Sequence, residues 1–302
     1  MRWPFPILVV AFAALAAAEK HDELIALYDY DGTLPLDVHT KEISSREGYR
    51  IAEVSFALPK TGTMSGFLVT PLVKGKKPGI IWMHSSGAIG FLGNAVLMGK
   101  AGAVSILVGE ADGLPGGTAE QARDQLIADV VGLRRAIDVL SSRDDVDPSR
   151  IAIVGHSSGA MMAAVAASID KRFTAAVYEV GLLGMSVHIA TSPGAWAQGV
   201  RKQLGEHLAH FLEITSVVDD ANYIGQAPGI PKLFQSAWYD PGVPRKDAED
   251  FFNASSAPKE LKWYDTGHDI DDPQAVIDRI QFLSKALRLR NGNAVLKKLA
   301  TR

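Results

Sequence analysis

The sequence of 302 residues contains no cysteine. This absence excludes thiolate nucleophiles, cysteine-ligated zinc, iron–sulfur clusters and disulfide bridges. The sequence also lacks long runs of one charge sign, and its formal net charge is only −3. We therefore expect no nucleic-acid partner, and a small molecule or a polymer is the more natural substrate.

Long hydrophobic runs are absent apart from one at the amino terminus. Within residues 1–18, Arg2 precedes an apolar run from Ile7 to Leu15, and three alanines ending at Ala18 follow. This layout is typical of a secretory signal peptide cleaved near Ala18. An uncleaved anchor is the weaker alternative, because the run is shorter than the ~20 residues of a spanning helix. The prediction is a secreted or periplasmic protein with no stable membrane span after cleavage.

After this leader, apolar runs typical of buried strands alternate with segments of helical periodicity. The strand-like runs are residues 51–58 and 66–70, which suggest a hairpin, and 79–84, 103–108, 151–155, 175–181, 231–238 and 260–266. Helices are predicted from Thr118, where Gln121 suits a capping box, from about Ser158, and from Pro273 to about Leu289. The alternation predicts an α/β fold, with a mostly parallel, doubly wound sheet and helices on both faces.

One segment, residues 183–229, interrupts this alternation because it looks helical and has no strand-like run. It lies between two predicted sheet strands. We interpret it as a cap over the carboxyl edge of the sheet, where α/β proteins bind ligands. The predicted layout is a signal peptide at 1–18 and a single domain at 19–302 with the cap insertion at about 183–229. Residues 291–302 are expected to form a frayed extension.

The strongest functional signal is the pentapeptide Gly155-His156-Ser157-Ser158-Gly159. It follows a buried strand and precedes a helix, which is the setting of a nucleophile elbow. The turn is so sharp that its central residue takes strained backbone angles, and side chains at the flanking glycines would collide with neighbouring elements. The pattern therefore predicts Ser157 as a nucleophile held clear of the sheet.

Serine needs a base to act as a nucleophile, and in this architecture the base follows it in the chain. Histidines follow Ser157 at four positions, which are His188, His207, His210 and His268. We predict His268 as the base, because its loop comes directly after the last predicted strand and so reaches the same rim of the sheet as Ser157.

The acid of the triad is expected at the end of the preceding strand. Asp240 fits this place, and its carboxylate would orient His268 and stabilise the imidazolium. A plain turn residue before a proline is the alternative interpretation of Asp240. Glu179, Asp247 and Asp265 are the competing candidates for the acid.

An oxyanion hole needs two hydrogen-bond donors. One should be the backbone N–H of Ser158, the residue after the nucleophile. The second should come from the loop that begins at His84, with Ser85 as first choice and Ser86 as second. His84 itself fits a structural anchor of that loop better than a base, because it precedes Ser157 in the chain.

A metal site is not expected. His207 and His210 lie three residues apart on a predicted helix, but the sequence has no H-E-x-x-H pattern around them. We interpret this pair as part of a solvated helix.

These motifs together resemble the α/β-hydrolase superfamily, and within it the dienelactone-hydrolase-like and acyl-esterase-like branches. The resemblance rests on HSSG (84–87), GHSSG (155–159), WYDPGVP (238–244) and TGHD (266–269), and it extends over about residues 48–290. It implies a Ser157–His268–Asp240 triad and ester hydrolysis without a cofactor. Dienelactone hydrolases proper usually have cysteine where this chain has Ser157.

The sequence therefore predicts a secreted serine hydrolase that cleaves a small-molecule or polymer-attached carboxylic ester through an acyl-enzyme. Two alternatives stay open. One is a serine peptidase of the prolyl-oligopeptidase type, which usually carries a large additional amino-terminal domain. The other is a non-catalytic binding protein on a hydrolase fold, because fold alone does not determine function.

Overall fold

The computed structural model describes residues 21–46, 48–60, 62–112, 117–227 and 229–299. The predicted signal peptide at 1–18 lies outside these residues. Among the helices that are described, none is long and apolar enough to cross a membrane.

The described strands form a single nine-stranded sheet. In chain order they are β1 (His39–Arg46), β2 (Tyr49–Ala57), β3 (Thr63–Pro71), β4 (Lys77–His84), β5 (Val104–Asp112), β6 (Val146–His156), β7 (Phe173–Glu179), β8 (Lys232–Ala237) and β9 (Lys259–Tyr264). Their spatial order is β1-β2-β3-β5-β4-β6-β7-β8-β9. In this spatial order, the pairs β1–β2, β2–β3 and β3–β5 are antiparallel. The five pairs from β5–β4 to β8–β9 are parallel. The predicted mostly parallel sheet is confirmed.

Helices flank this sheet, and from β4 onward each strand is followed by at least one helix. They are α1 (Leu92–Ala101), α2 (Ala119–Ser141), α3 (Ser158–Ile169), α4 (Met185–Thr191), α5 (Ala195–Leu204), α6 (Leu208–Thr215), α7 (Arg245–Ala254), α8 (Pro273–Ala286) and α9 (Gly292–Leu299). The capping box at the start of α2 is confirmed. Thr118 Oγ1 accepts the N–H of Gln121 at 3.2 Å, and Gln121 Oε1 accepts the N–H of Thr118 at 3.0 Å.

The core has two layers, one on each face of the sheet, because successive side chains of a strand point in opposite directions. On β4, Ile81 and Met83 belong to the core cluster that contains residues of α2 and α3. Ile80 and Trp82 belong to the second cluster, with residues of α1 and α8. This division confirms that helices cover both faces of the sheet.

Two elements differ from the sequence expectations. The edge strand β1 was missed, because its residues, HTKEISSR, are mostly exposed and show no apolar alternation. The expected frayed extension was wrong over Gly292–Leu299, which forms helix α9. Val295 of α9 is buried in the same core cluster as Leu283 and Leu287, so apolar packing orders this short helix.

The predicted insertion lies between β7 and β8 and is helical where it is described. Besides α4, α5 and α6 its described residues contain four 3₁₀ turns, at Gly205–His207, Ser216–Val218, Asp220–Asn222 and Ile224–Gln226. Asp220 is buried and accepts the N–H of Gly184 at 2.9 Å, which joins the two ends of the insertion. Within residues 183–227, and at residue 229, no strand is present. Its role as a cap stays a prediction.

Candidate active site

The turn between β6 and α3 has the strained geometry that the sequence predicts. Ser157 has a φ of 57° and a ψ of −122°, a conformation that costs free energy for any residue with a Cβ atom. A Cβ at Gly155 would lie 2.2 Å from the carbonyl oxygen of Gly159, and one at Gly159 would lie 2.2 Å from that of Met83. Only glycine fits at these two positions, and the turn projects Ser157 at the carboxyl edge of the sheet.

The structure brings Ser157, His268 and Asp240 together from three separate loops at this edge. Ser157 Oγ lies 2.9 Å from His268 Nε2. His268 Nδ1 lies 2.8 Å from Asp240 Oδ2. The three side chains form a continuous chain of hydrogen-bond contacts from the hydroxyl to the carboxylate.

The environment of Asp240 keeps its carboxylate charged although the side chain is only 1% exposed. Its Oδ1 accepts the N–H groups of Gly242 and Val243 at 2.7 and 2.9 Å. Burial by itself raises the pKa of Asp240, but the hydrogen bonds from His268 and from the two amides outweigh it and lower the pKa below its ordinary value.

The charged carboxylate also determines which nitrogen of His268 carries the proton. A carboxylate only accepts, so His268 Nδ1–H donates to Asp240 and Nε2 is left to accept from the Ser157 hydroxyl. The hydrogen bond to Asp240 raises the pKa of His268 above its ordinary value, against the lowering effect of burial. The arrangement can remove a proton from Ser157 and hold it as imidazolium.

The competing acid candidates lie outside this contact chain. Glu179 is buried at the end of β7 in an ion pair with Arg279. Asp247 Oδ2 lies 2.8 Å from Nδ1 of His188, at the start of α7. Asp265 is exposed in the loop after β9.

The other two histidines that follow Ser157 in the sequence lie outside this contact chain. His210 Nε2 lies 2.9 Å from Glu120 at the protein surface, and His207 is exposed. A group of three or more side chains able to hold a metal ion is absent from the part of the chain that the structure describes.

The predicted oxyanion donors lie at the start of α3 and in the loop after β4. Ser158 is the first residue of α3, so its N–H has no partner within the helix. Ser85 and Ser86 follow β4, which is the immediate neighbour of β6 in the sheet. The N–H of Ser86 donates to His84 Nδ1 at 3.0 Å, and Ser85 Oγ lies 3.2 Å from His156 Nδ1.

Sequence reasoning missed the part of His156 in the site. This residue is 2% exposed, and its Nε2 lies 2.8 Å from the main-chain oxygen of His268. Its ring stacks on that of His84, with centroids 4.0 Å apart and planes 3° from parallel. The available signal was that His84 ends one predicted strand, at residues 79–84, and His156 directly follows another, at residues 151–155. In the structure His84 and His156 occupy equivalent register positions on β4 and β6.

Two cavities adjoin these loops. A small one of about 60 Å³ borders Ser158, Met161 and Met162 of α3 together with Met185 and Val218 of the insertion. Its lining is mostly apolar but includes the buried aspartates Asp219 and Asp220. The insertion therefore reaches the helix that begins next to Ser157. A larger, open cleft of about 700 Å³ runs from the Ser85 loop along the antiparallel strands β1 to β3.

Comparison with known proteins gives a family match over part of the chain. Residues 121–256, which include the elbow and Asp240, match the prolyl oligopeptidase family. No protein of curated function matches the chain significantly in sequence.

Solved structures resemble the chain over most of its length. An acetyl xylan esterase from Paenibacillus sp. R4 is 20% identical with a TM-score of 0.74, covering 88% of this chain and 93% of that one. Acetyl xylan esterase 1 from Thermoanaerobacterium sp. JW/SL YS485 is 16% identical with a TM-score of 0.75, covering 89% and 94%. An acylaminoacyl peptidase from Pyrococcus horikoshii is 17% identical with a TM-score of 0.59, covering 85% of this chain but 43% of its own.

At such identities the structural likeness establishes the fold, and the family match is consistent with it. The family match over residues 121–256 is consistent with a serine hydrolase. The sheet order, the elbow and the structural likeness show an α/β-hydrolase fold.

Proposed function

We propose that the protein hydrolyses carboxylic esters through an acyl-enzyme formed on Ser157. The observation that carries the proposal is the contact chain of Ser157, His268 and Asp240, with separations of 2.9 and 2.8 Å. Such a chain supplies a nucleophile, a base within hydrogen-bond reach of it, and a carboxylate that orients the base.

In the first half-reaction, Ser157 Oγ attacks the acyl carbonyl and its proton passes to His268 Nε2. Asp240 stabilises the resulting imidazolium. The negative charge on the former carbonyl oxygen is taken up by the N–H of Ser158 and a second backbone N–H. We favour Ser85 over Ser86 for the second donor, because the N–H of Ser86 already donates to His84.

Collapse of the tetrahedral intermediate breaks the bond to the leaving alcohol. His268 Nε2–H donates its proton to the alcohol oxygen as that bond breaks. A water molecule then attacks the acyl-enzyme, with His268 again accepting the proton, and the acid leaves as Ser157 regains its hydrogen. Each step uses only side chains of this chain, backbone amides and water.

An ester substrate is favoured over a peptide by the extent of the structural matches. The two acetyl xylan esterases are matched over 93% and 94% of their lengths, whereas the acylaminoacyl peptidase is matched over 43%. The prolyl oligopeptidase match over residues 121–256 keeps a serine peptidase as the second candidate.

The open cleft beside Ser85 suits the alcohol part of a small or polymer-attached ester, because it is wide and partly polar. The amino-terminal pattern at residues 1–18 supports secretion or export to the periplasm. A single domain at 19–302, with the insertion as a cap, completes the proposal.

The test is a series of p-nitrophenyl esters of increasing acyl length beside a series of peptidyl p-nitroanilides, each with the wild type and with Ser157→Ala. We expect turnover of at least one ester, a loss of about 10⁶-fold in kcat with Ser157→Ala, and little turnover of anilides. Turnover of anilides alone would move the assignment to a peptidase. Ester turnover that survives in Ser157→Ala would overturn the proposed nucleophile.

A further inference from the structure

His156 lies inside the site between two loops that carry proposed catalytic groups. On one side its Nε2 is 2.8 Å from the main-chain oxygen of His268. On the other side its Nδ1 is 3.2 Å from the hydroxyl oxygen of Ser85. A single buried ring therefore touches both the loop of the base and the loop of the second oxyanion donor.

The direction of each hydrogen bond follows from the chemistry of its partner. A carbonyl oxygen only accepts, so His156 Nε2 must carry a proton and donate to His268. Burial, with a contribution from His84, lowers the pKa of His156 to about 3, so the ring is neutral at ordinary pH. Its Nδ1 then accepts, and the Ser85 hydroxyl donates to it.

Packing holds the ring in this orientation. The ring of His84 lies parallel to that of His156 at a centroid distance of 4.0 Å. His84 is held in turn, because its Nδ1 accepts the N–H of Ser86 and because a Cβ at Gly90 would lie only 2.5 Å from its ring. The stacked pair leaves His156 little freedom to rotate away from its two partners.

We propose that His156 is a positioning residue that sets the distance between the base and the oxyanion hole. This inference rests on the proposed function, because it concerns the arrangement of the groups that act with Ser157. His156 fixes the main chain at His268 and the loop at Ser85 to one rigid ring. The base and the second oxyanion donor therefore keep their spacing while positive charge develops on His268 and negative charge develops on the substrate oxygen.

The consequence should appear in turnover rather than in binding. Loss of a complete oxyanion donor costs about 10²–10³ in kcat, and a shift of about 1 Å in a catalytic group can cost a similar factor. A loosened Ser85 loop displaces the donor without removing it. The expected loss is therefore smaller, about 10-fold to 100-fold in kcat.

The experiment uses the full chain with three variants and one control. His156→Phe keeps the ring and its stacking but removes both hydrogen bonds. Ser85→Ala removes the hydroxyl but keeps the backbone N–H, and Ser85→Thr keeps a hydroxyl. Ser105→Ala is the matched control, because Ser105 is a fully buried serine on β5 and lies outside the proposed site.

The measurements are kcat and KM per active site, with active sites counted by fluorophosphonate labelling, and the pH profile of kcat/KM. We expect His156→Phe to lower kcat about 10-fold to 100-fold and Ser85→Ala about 10-fold, with KM changed less than about threefold. Ser85→Thr should recover most of the loss, and Ser105→Ala should stay within about twofold of the wild type.

Two further results separate positioning from a purely structural role. The double variant His156→Phe/Ser85→Ala should be no slower than His156→Phe, because the hydroxyl acts through the ring. The acidic limb of the His156→Phe profile should move to lower pH, because a looser His268 loop weakens the hydrogen bond to Asp240 that raises the pKa of His268. A structural role alone would lower the fraction of labelled sites. It would leave kcat per labelled site and the position of the acidic limb unchanged.

The inference is overturned if kcat per labelled site stays within about twofold of the wild type in Ser85→Ala and His156→Phe. If His156→Phe does not fold, the Ser85→Ala and Ser85→Thr pair decides the question. If the wild type turns over no ester, the proposed function fails and the labelling rates of the same variants test His156 separately. Absence of labelling at Ser157 in the wild type would overturn both.

Discussion

At the residue scale, the site depends on the opposite pKa shifts of two side chains in contact. Asp240 is held charged by His268 and by two backbone amides, and its charge raises the pKa of His268. The carboxylate also keeps the Nδ1 proton in place, which leaves Nε2 directed at Ser157. One residue therefore controls both the basicity and the tautomer of the base.

The pH dependence of the wild type follows from this arrangement. His268 acts as a base only when it is neutral, and its pKa lies above the ordinary value of 6.5. As the pH falls through this pKa, His268 becomes protonated and activity is lost. The profile of kcat/KM should therefore show an acidic limb centred above pH 6.5, and a limb centred well below that value would contradict the assigned base.

Asp240→Asn tests the carboxylate directly. The amide has nearly the same shape but donates where the carboxylate accepts, so it favours the wrong tautomer of His268. We expect kcat to fall by about 10⁴-fold with the fold preserved by circular dichroism. Gly242→Ala alters the same loop without altering the charge, and it should cost far less. Comparable losses in the two variants would assign Asp240 a structural role.

At the element scale, the α3 helix carries both the elbow and one wall of the small cavity. Met161 and Met162 follow Ser158 on the same helix, and the cavity of about 60 Å³ has little room beyond the volume of about two water molecules. If the acyl group lies there, short chains fit and long chains do not.

Met162→Ala should enlarge this cavity and change the preference for acyl length. Each methylene accommodated in an apolar pocket is worth about 1–3 kcal/mol, so the hexanoate-to-acetate ratio of kcat/KM should rise at least about 10-fold. Met98→Ala is the matched control, because Met98 is also buried but belongs to the core on the opposite face. An equal rise in the control, or no rise in Met162→Ala, would place the acyl group elsewhere.

Local signals made most elements predictable, and the two exceptions are a polar edge strand and a short helix. The buried strands, the elbow glycines and the Thr118 capping box depend on neighbours in the sequence, so the pattern reveals them. Strand β1 pairs with the next strand, β2, but its residues are mostly exposed and no apolar alternation marks it. Helix α9 has only eight residues, and a helix this short depends on packing against the rest of the core. The contacts of His156 could not be predicted because they require the register of β4 on β6.

The three proposed triad residues were selected from sequence by order and position, and the structure brings them into contact. The choice between Ser85 and Ser86 needed the hydrogen bond from Ser86 N–H to His84. This bond depends on how the loop folds after β4, which residue types alone do not determine.

At the scale of the whole molecule, a buried ion pair joins helix α8 to the end of strand β7, next to the elbow. Arg279 of α8 and Glu179 at the end of β7 are each about 3% exposed. Burial raises the pKa of Glu179 above its ordinary value, although Arg279 opposes this shift by stabilising the charged carboxylate. The Glu179 carbonyl accepts the N–H of Ser157 at 2.8 Å, so this strand end also supports the elbow.

Glu179→Ala should destabilise the protein strongly, because it leaves Arg279 buried without its charge partner. We expect the free energy of unfolding to fall by about 3–5 kcal/mol in urea denaturation. Glu249→Ala is the comparison, because it removes a similar pair with Arg245 at the surface, and it should cost about 0.5 kcal/mol or less. Similar losses in both variants would show that the buried pair has no special part in stability.

The most direct test is to identify by peptide mass spectrometry which residue a fluorophosphonate labels, and to measure how the labelling rate depends on pH and on His268. The account predicts one adduct per chain on Ser157, formed with a rate that rises through the pKa of His268 and drops sharply in His268→Asn. A His210→Asn variant, which alters a surface histidine, should label like the wild type. An adduct on another residue, or undiminished labelling in His268→Asn, would contradict the assignment of Ser157 as the activated nucleophile.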